Sequence, residues 1–147
     1  MQCVIFVGIP ASGKSSYFQQ QFFDTHVRIN LDMLKTRHRE GVLLNACIEG
    51  KQPFVVDNTN PSPEDRHRYI AAAKNAGFEV IGYYFQSRVS DALDRNRLRT
   101  RQVPQSGIRS ISSKLVLPTM DEGFDALFYV AIEDNEFTVA EWQSEEE

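Results

Sequence analysis

Gly8-Ile-Pro-Ala-Ser-Gly-Lys-Ser15 sets two glycines, a lysine and a serine at the spacing GxxxxGK[ST]. Each position has a chemical reason. Gly8 and Gly13 permit backbone conformations that a side chain would block. The loop's N–H groups can then turn inward and cradle phosphate oxygens, with the positive end of the following helix behind them. Lys14 reaches the outer phosphates as a point charge, and the Ser15 hydroxyl is placed to ligate magnesium. The bare pattern occurs by chance, so its setting matters. Here it lies between an apolar run, residues 2–8, and a segment with helical character.

Three further clusters could complete a reaction. Asp32, in Arg28-Ile-Asn-Leu-Asp32, follows a short apolar run and opens a helical segment. It can be a helix N-cap, a base that deprotonates an acceptor hydroxyl, or both. Asp57-Asn-Thr-Asn60 ends the run Phe-Val-Val. Its bland role is a polar turn, which suits Asn58, while Asp57 could instead hold a metal-bound water or touch substrate. Arg95, Arg97, Arg99 and Arg101 alternate along the chain. On a helix Arg95 and Arg99 share a face, and Arg97 and Arg101 share another only if the helix continues that far. Guanidinium forks suit the charge spread over a phosphoryl group in flight. A lid carrying them could close over nucleotide and exclude water. Arg66, His67 and Arg68 are expected on a helix surface.

The elements that must position these groups alternate strand and helix. Buried strands are expected at 2–8, 27–30, 53–57, 79–85 and 126–132. Helices are expected at 13–21, 32–49, 61–75, 89–100 and 108–116, with 103–107 a loop. Pro63 fits a first helical turn and Gly77 a helix stop. Phe137–Trp142 reads as a short edge strand or a packed tail. This order predicts an α/β fold: an open, mostly parallel sheet with helices on both faces, in three layers. Ligands bind such sheets at the carboxyl ends of the strands, where all the clusters above lie.

The chain has 147 residues, room for one domain, and 41% of them are hydrophobic. Residues 1–135 are expected to form it, with an Arg-rich lid at about 88–116 and an acidic segment at 136–147. The net charge of −4 divides unevenly: residues 133–147 hold seven acidic side chains and no Lys or Arg, leaving +3 elsewhere. Arg88 to Lys114 alone carries +5. The acidic end is expected to be disordered. No run approaches the roughly 18 apolar residues of a membrane span. The amino-terminal run has no basic flank and leads straight into the glycine loop, unlike a secretory signal. Cys3 and Cys47 lack metal spacing and read as buried free thiols, so a cytoplasmic protein is expected.

With these motifs in view, residues 4–130 resemble the kinase domain of polynucleotide 5′-hydroxyl kinases, within the broader P-loop kinases. Residues 8–16 are similar to that family's Gly-x-Pro-Gly-x-Gly-Lys-Ser-Thr. Ile29-Asn-Leu-Asp32 is similar to its Asn-Arg-Asp, and Asp57-Asn-Thr-Asn-Pro61 to the same stretch in the family. Arg66-x-x-Tyr-Ile70, Arg95-Asn-Arg97, Arg99, Val103-Pro104 and Pro118–Phe124 also fit. The resemblance implies Asp32 as general base and Arg95 and Arg99 as lid residues clasping ATP phosphates. Leu31 stands where the family often has Arg, and Lys35 where some members have an Arg that meets an acceptor-side phosphate. No phosphatase or ligase domain accompanies the segment, so a free-standing kinase domain is expected.

The expected reaction is therefore ATP-dependent transfer of the γ-phosphoryl group to a hydroxyl, with the 5′-OH of a polynucleotide as leading acceptor. A guanine-reading Asn-Lys-x-Asp is absent, and the length leaves little room for a mechanical ATPase. ATP and magnesium would be held by Gly8, Ile9, Pro10, Ala11, Ser12, Gly13, Lys14, Ser15, Ser16, Arg95 and Arg99, with Ser15 on the metal. Lys14, Asp32, Arg95 and Arg99 form the catalytic set. Asp32, Lys35, Asp57, Thr59 and Asn60 form the acceptor set. Other readings are a kinase of a small metabolite, nucleoside or antibiotic, and a regulatory switch that hydrolyses ATP slowly. Neither a membrane nor an obligate protein partner is expected.

Overall fold

A computed structural model describes residues 1–143 of the chain. Among them, six strands form one sheet. They are β1 (Gln2–Val7), β2 (Val27–Ile29), β3 (Phe54–Val56), β4 (Glu79–Phe85), β5 (Ala126–Glu133) and β6 (Glu136–Glu141), in the order β2-β3-β1-β4-β5-β6. The first five run parallel, and β6 returns antiparallel along β5. The helices are α1 (Lys14–Gln21), α2 (Leu31–Leu34), α3 (Arg37–Glu49), α4 (Pro63–Asn75), α5 (Val89–Arg97) and α6 (Gln105–Lys114). The expected open, mostly parallel three-layer α/β architecture is the one observed.

β1 shows why the helices divide between two faces. Successive side chains point to opposite sides of a strand. Cys3, Ile5 and Val7 join a core with Cys47 of α3 and Tyr69, Ile70 and Ala73 of α4. Val4 and Phe6 join a second core with Tyr17 and Phe18 of α1. These five residues of β1 are fully buried, and each burial of a Val, Ile or Phe contributes about 1.5–3 kcal/mol. Both cysteines are free and buried, as expected. A smaller cluster of Ile9, Ala92, Leu93 and Ile108 seats α5 and α6 on the glycine loop. No helix among the described residues is long and apolar enough to cross a membrane.

Several boundaries differ from expectation for local reasons. The helix expected over 32–49 is two helices. Lys35 ends α2 at a φ of 76°, and the Thr36 hydroxyl accepts from Arg39 N–H (3.1 Å) to start α3 afresh. Helix α5 stops at Arg97 rather than Thr100, where Asn96, buried in its last turn, exchanges two hydrogen bonds with Val103 (2.7 and 2.8 Å). Helix α6 then begins at Gln105, three residues before the expected start. Helix α4 opens with a capping box between Ser62 and Asp65 and stops before Gly77, whose φ is 80°. Of Phe137–Trp142, residues 137–141 lie in the β6 edge strand, and Trp142 just after it packs on Tyr84 and Tyr129. Of the acidic segment, residues 144–147 lie outside the described residues.

Arg66 corrects a surface expectation. Its side chain is wholly buried in α4 and pairs with Glu122 (2.7 Å) in a single 3-10 turn at Met120–Glu122. The same guanidinium donates to the carbonyls of Asn60 (3.2 Å) and Val116 (3.0 Å). It thus pins the residues just after α6 to the turn after β3, a join reinforced by Val116 N–H donating to Pro61 O (2.7 Å). Removing one partner of a buried pair leaves an uncompensated charge. Arg66→Ala is expected to lower unfolding free energy by about 3 kcal/mol or more in urea titration. Arg66→Met with Glu122→Leu should recover much of that loss.

Candidate active site

The glycine loop joins β1 to α1 and is shaped by its neighbours. Gly13 adopts φ 101° at the helix start, and Ala11 adopts a left-handed φ of 64° that its methyl group disfavours. A Cβ on Gly8 would stand 3.0 Å from Ser12 Oγ and 3.1 Å from Phe85 Cβ, so the loop's first residue is packed from two sides. Gly8 N–H donates to Thr59 O (3.0 Å), which stitches the loop to the turn after β3. Lys14 folds back over the loop, donating to the carbonyls of Gly8 (3.1 Å) and Ile9 (2.7 Å). Burial pushes its ammonium down to about 8. The nearby charges of Asp57 and Asp32 act to raise that value and that of Arg99 to lower it, so all three lie within electrostatic reach of Lys14.

Asp57 follows β3 directly and is 2% exposed. Its Oδ2 accepts from the Ser15 hydroxyl (3.0 Å) and from Arg28 Nε (2.9 Å). Arg28, on β2, also donates to Ser15 Oγ (3.0 Å), closing a triangle that the sequence reading did not foresee. A hydroxyl beside a buried carboxylate, next to a phosphate loop, fits magnesium, which takes few protein ligands and keeps phosphates and water for the rest. Among the described residues no group of three or more His, Cys, Asp or Glu side chains could hold a metal unaided.

Asp32 sits in the first turn of α2. It is not the N-cap; Asn30 is, its Oδ1 accepting from Met33 N–H (2.8 Å). Asn30 also donates to the carbonyl of Asp57 (2.6 Å). Asn58, read as a simple turn residue, does more. Its Oδ1 accepts from Leu31 N–H (2.9 Å), and its Nδ2 donates to Glu40 (3.1 Å). Glu40 is 3% exposed and also accepts from Tyr69 Oη (3.0 Å) and Arg37 (2.8 Å). Two asparagines and a buried glutamate therefore fix the short helix that carries Asp32.

A cavity of about 710 Å³ brings the parts together. Pro10, Ala11, Gly13, Lys14, Ser15 and Ser16 line one side, with Gly8, Ile9 and Ser12 buried behind them. Asp32, Asp57, Thr59 and Asn60 line another. The Asn60 amide is committed to the carbonyl of Phe6 (2.8 Å). Arg95 and Arg99 both face the cavity, although Arg99 lies beyond the end of α5 and shares no helix face with Arg95. Arg95 donates to Ala11 O (3.4 Å), whereas Arg97 is turned away in an exposed pair with Asp94. Lys35 does not line the cavity; Arg37 and Lys114 do.

A match to the AAA domain family spans residues 35–118. A bifunctional polynucleotide phosphatase/kinase of Schizosaccharomyces pombe is 32% identical over 132 residues, 84% of this chain. A putative bifunctional polynucleotide phosphatase/kinase of Acanthamoeba polyphaga mimivirus is 28% identical over 86% of the chain. The chain spans 32% of the length of each of these curated relatives. Among solved structures, Chaetomium thermophilum Kti12 in complex with ADP-AlF3 superposes with a TM-score of 0.68 at 19% identity, over 91% of both chains. A gluconokinase from Sinorhizobium meliloti 1021 gives 0.61 at 18% identity, over 87% of this chain and 82% of its own. These two likenesses are of fold. With a phosphate loop at the end of β1, and with more than half its length inside the family match, the chain belongs to the AAA domain family of P-loop proteins.

Proposed function

We propose that the protein is an ATP-dependent kinase that phosphorylates a 5′-hydroxyl of DNA or RNA. The observation carrying this reading is the single cavity on which Lys14, Ser15, Asp32, Asp57, Arg95 and Arg99 converge. The glycine loop would bind the ATP phosphates. Lys14, freed from the Gly8 and Ile9 carbonyls, would turn to them. Ser15, with Asp57 behind it, would hold magnesium, which would supply charge neutralisation at the phosphates. Asp32 orients the acceptor hydroxyl and takes its proton. Arg95 and Arg99 reach in from the lid to the charge that develops on the transferring group.

The polynucleotide acceptor is supported by two facts. Beyond the cations given to ATP, Arg37 and Lys114 add positive charge to the cavity lining. The named polynucleotide phosphatase/kinases are similar to this chain over most of its length. Labelled-ATP transfer to 5′-OH DNA, 5′-OH RNA and small hydroxyl compounds tests the acceptor. Transfer to small compounds alone would replace it. Oligonucleotide binding should weaken as salt rises.

Asp32→Ala is expected to slow transfer by roughly 10²–10⁴-fold while ATP affinity stays close to wild type. Wild-type transfer rates in that variant would remove Asp32 from the role of base. Lys14 generates a pH prediction. The unfolded chain keeps this proton up to about 10.5, while the fold releases it near 8. Between these values the unfolded state binds more protons, so the Lys14 contribution to unliganded stability improves as pH rises. Phosphates favour the charged ammonium, so ATP affinity should instead fall as pH rises through 8. Calorimetry in buffers of different ionisation enthalpy should show proton uptake on binding near pH 8, absent in Lys14→Met.

A further inference from the structure

The Arg28–Asp57–Ser15 triangle gives Arg28 a contact with the metal-site residues that the kinase reading leaves unused. A hydroxyl has one proton to donate and two lone pairs to accept with. Ser15 Oγ gives its proton to Asp57 Oδ2 (3.0 Å) and receives one from Arg28 Nη2 (3.0 Å). A single lone pair remains. Arg28 Nε meanwhile occupies the same Asp57 oxygen (2.9 Å). A divalent ion ligated by Ser15 would share these two groups with a guanidinium already against both.

The three partners are unequally fixed. Asp57 is buried at the end of β3, with β2 on one side and β1 on the other, and its N–H is bound to Ile29 O (2.8 Å). Ser15 is held in the first turn of α1. Arg28 lies on β2, the outermost strand, its side chain 28% exposed on a flexible stem. Of the three, Arg28 is the one with somewhere to go. A buried carboxylate is costly without partners, so a cation at Asp57 is favoured whether or not a metal is present.

We propose that Arg28 is the resident counter-cation of the metal site. It neutralises Asp57 and orients the Ser15 hydroxyl in the absence of metal, and it gives way when a divalent cation arrives with a nucleoside di- or triphosphate. Arg28 therefore competes with magnesium and sets how much magnesium nucleotide binding requires. This rests on the nucleotide-binding reading of the loop.

The test is ADP binding by calorimetry across a magnesium series, in wild type, Arg28→Gln and Arg28→Lys. Arg28→Gln removes the charge and should lower the half-saturating magnesium on the order of tenfold. Arg28→Lys keeps the charge and should stay nearer wild type. In the wild type, the Arg28 Nε–H resonance, identified by its loss in Arg28→Lys, should shift when magnesium and ADP are added together. It should stay in place with magnesium alone. An unchanged or raised magnesium requirement in Arg28→Gln overturns the proposal. If that variant does not fold, an Nε–H resonance unmoved by magnesium with ADP overturns it, and a shifted one supports it. Wild-type protein that binds no ADP at any magnesium concentration overturns the nucleotide site itself, and this proposal with it.

Discussion

A carboxylate sealed inside the sheet edge is the constraint around which the site is arranged. Asp57 is buried at the point where β3 meets the start of α1, and burial of its charge is tolerable only with partners in place. Those partners come from separate parts of the chain: Ser15 from α1 and Arg28 from β2. The backbone around it is equally committed. Its N–H goes to Ile29 and its carbonyl to Asn30, so β2 and the entry to α2 are tied to the same residue. Two residues on, Thr59 O receives the first N–H of the glycine loop. The glycine-loop wall and the Asp32 wall of the cavity therefore share one anchor.

Much of this was legible in the sequence because it is local. The glycine loop, the run of buried strands and the helix stop at Gly77 each announce themselves within a few residues. The placement of the polar clusters at the carboxyl edge follows from the strand–helix alternation alone. What escaped was long-range. Arg66 reads as a surface residue because nothing near it in sequence offers a partner; Glu122 lies 56 positions away. Glu40 likewise looks like an ordinary helical acid until Asn58, Tyr69 and Arg37 close on it. Arg28 was only a flank of the Asp32 motif, and its meeting with Asp57 depends on the register that pairs it with Val55.

One miss did have a local signal. Thr36 is a good N-cap residue with an acid, Glu40, in the turn that follows, and this marks a fresh helix start at Arg37. Apolar periodicity through Leu34, Leu43, Leu44 and Cys47 hid the break, because both pieces pack on the same core. The break explains why Lys35 and Arg37 have different surroundings although they are two residues apart. Lys35 takes the left-handed corner and leaves the cavity, while Arg37 starts the next helix and lines it.

The separation of α2 from α3 has a consequence for how such a protein can change. The four-residue helix holding Asp32 is capped at its own start, is closed at Lys35, and reaches the rest of the site mainly through two asparagine amides. The phosphate loop makes no hydrogen bond to it among those described. Residues 31–34 thus form a short segment tied to its surroundings by few hydrogen bonds, so substitutions there are expected to reshape the cavity wall at Asp32 while leaving the glycine loop in place. On the kinase reading proposed above, acceptor preference would then change by substitution in one short helix, with the phosphate loop untouched.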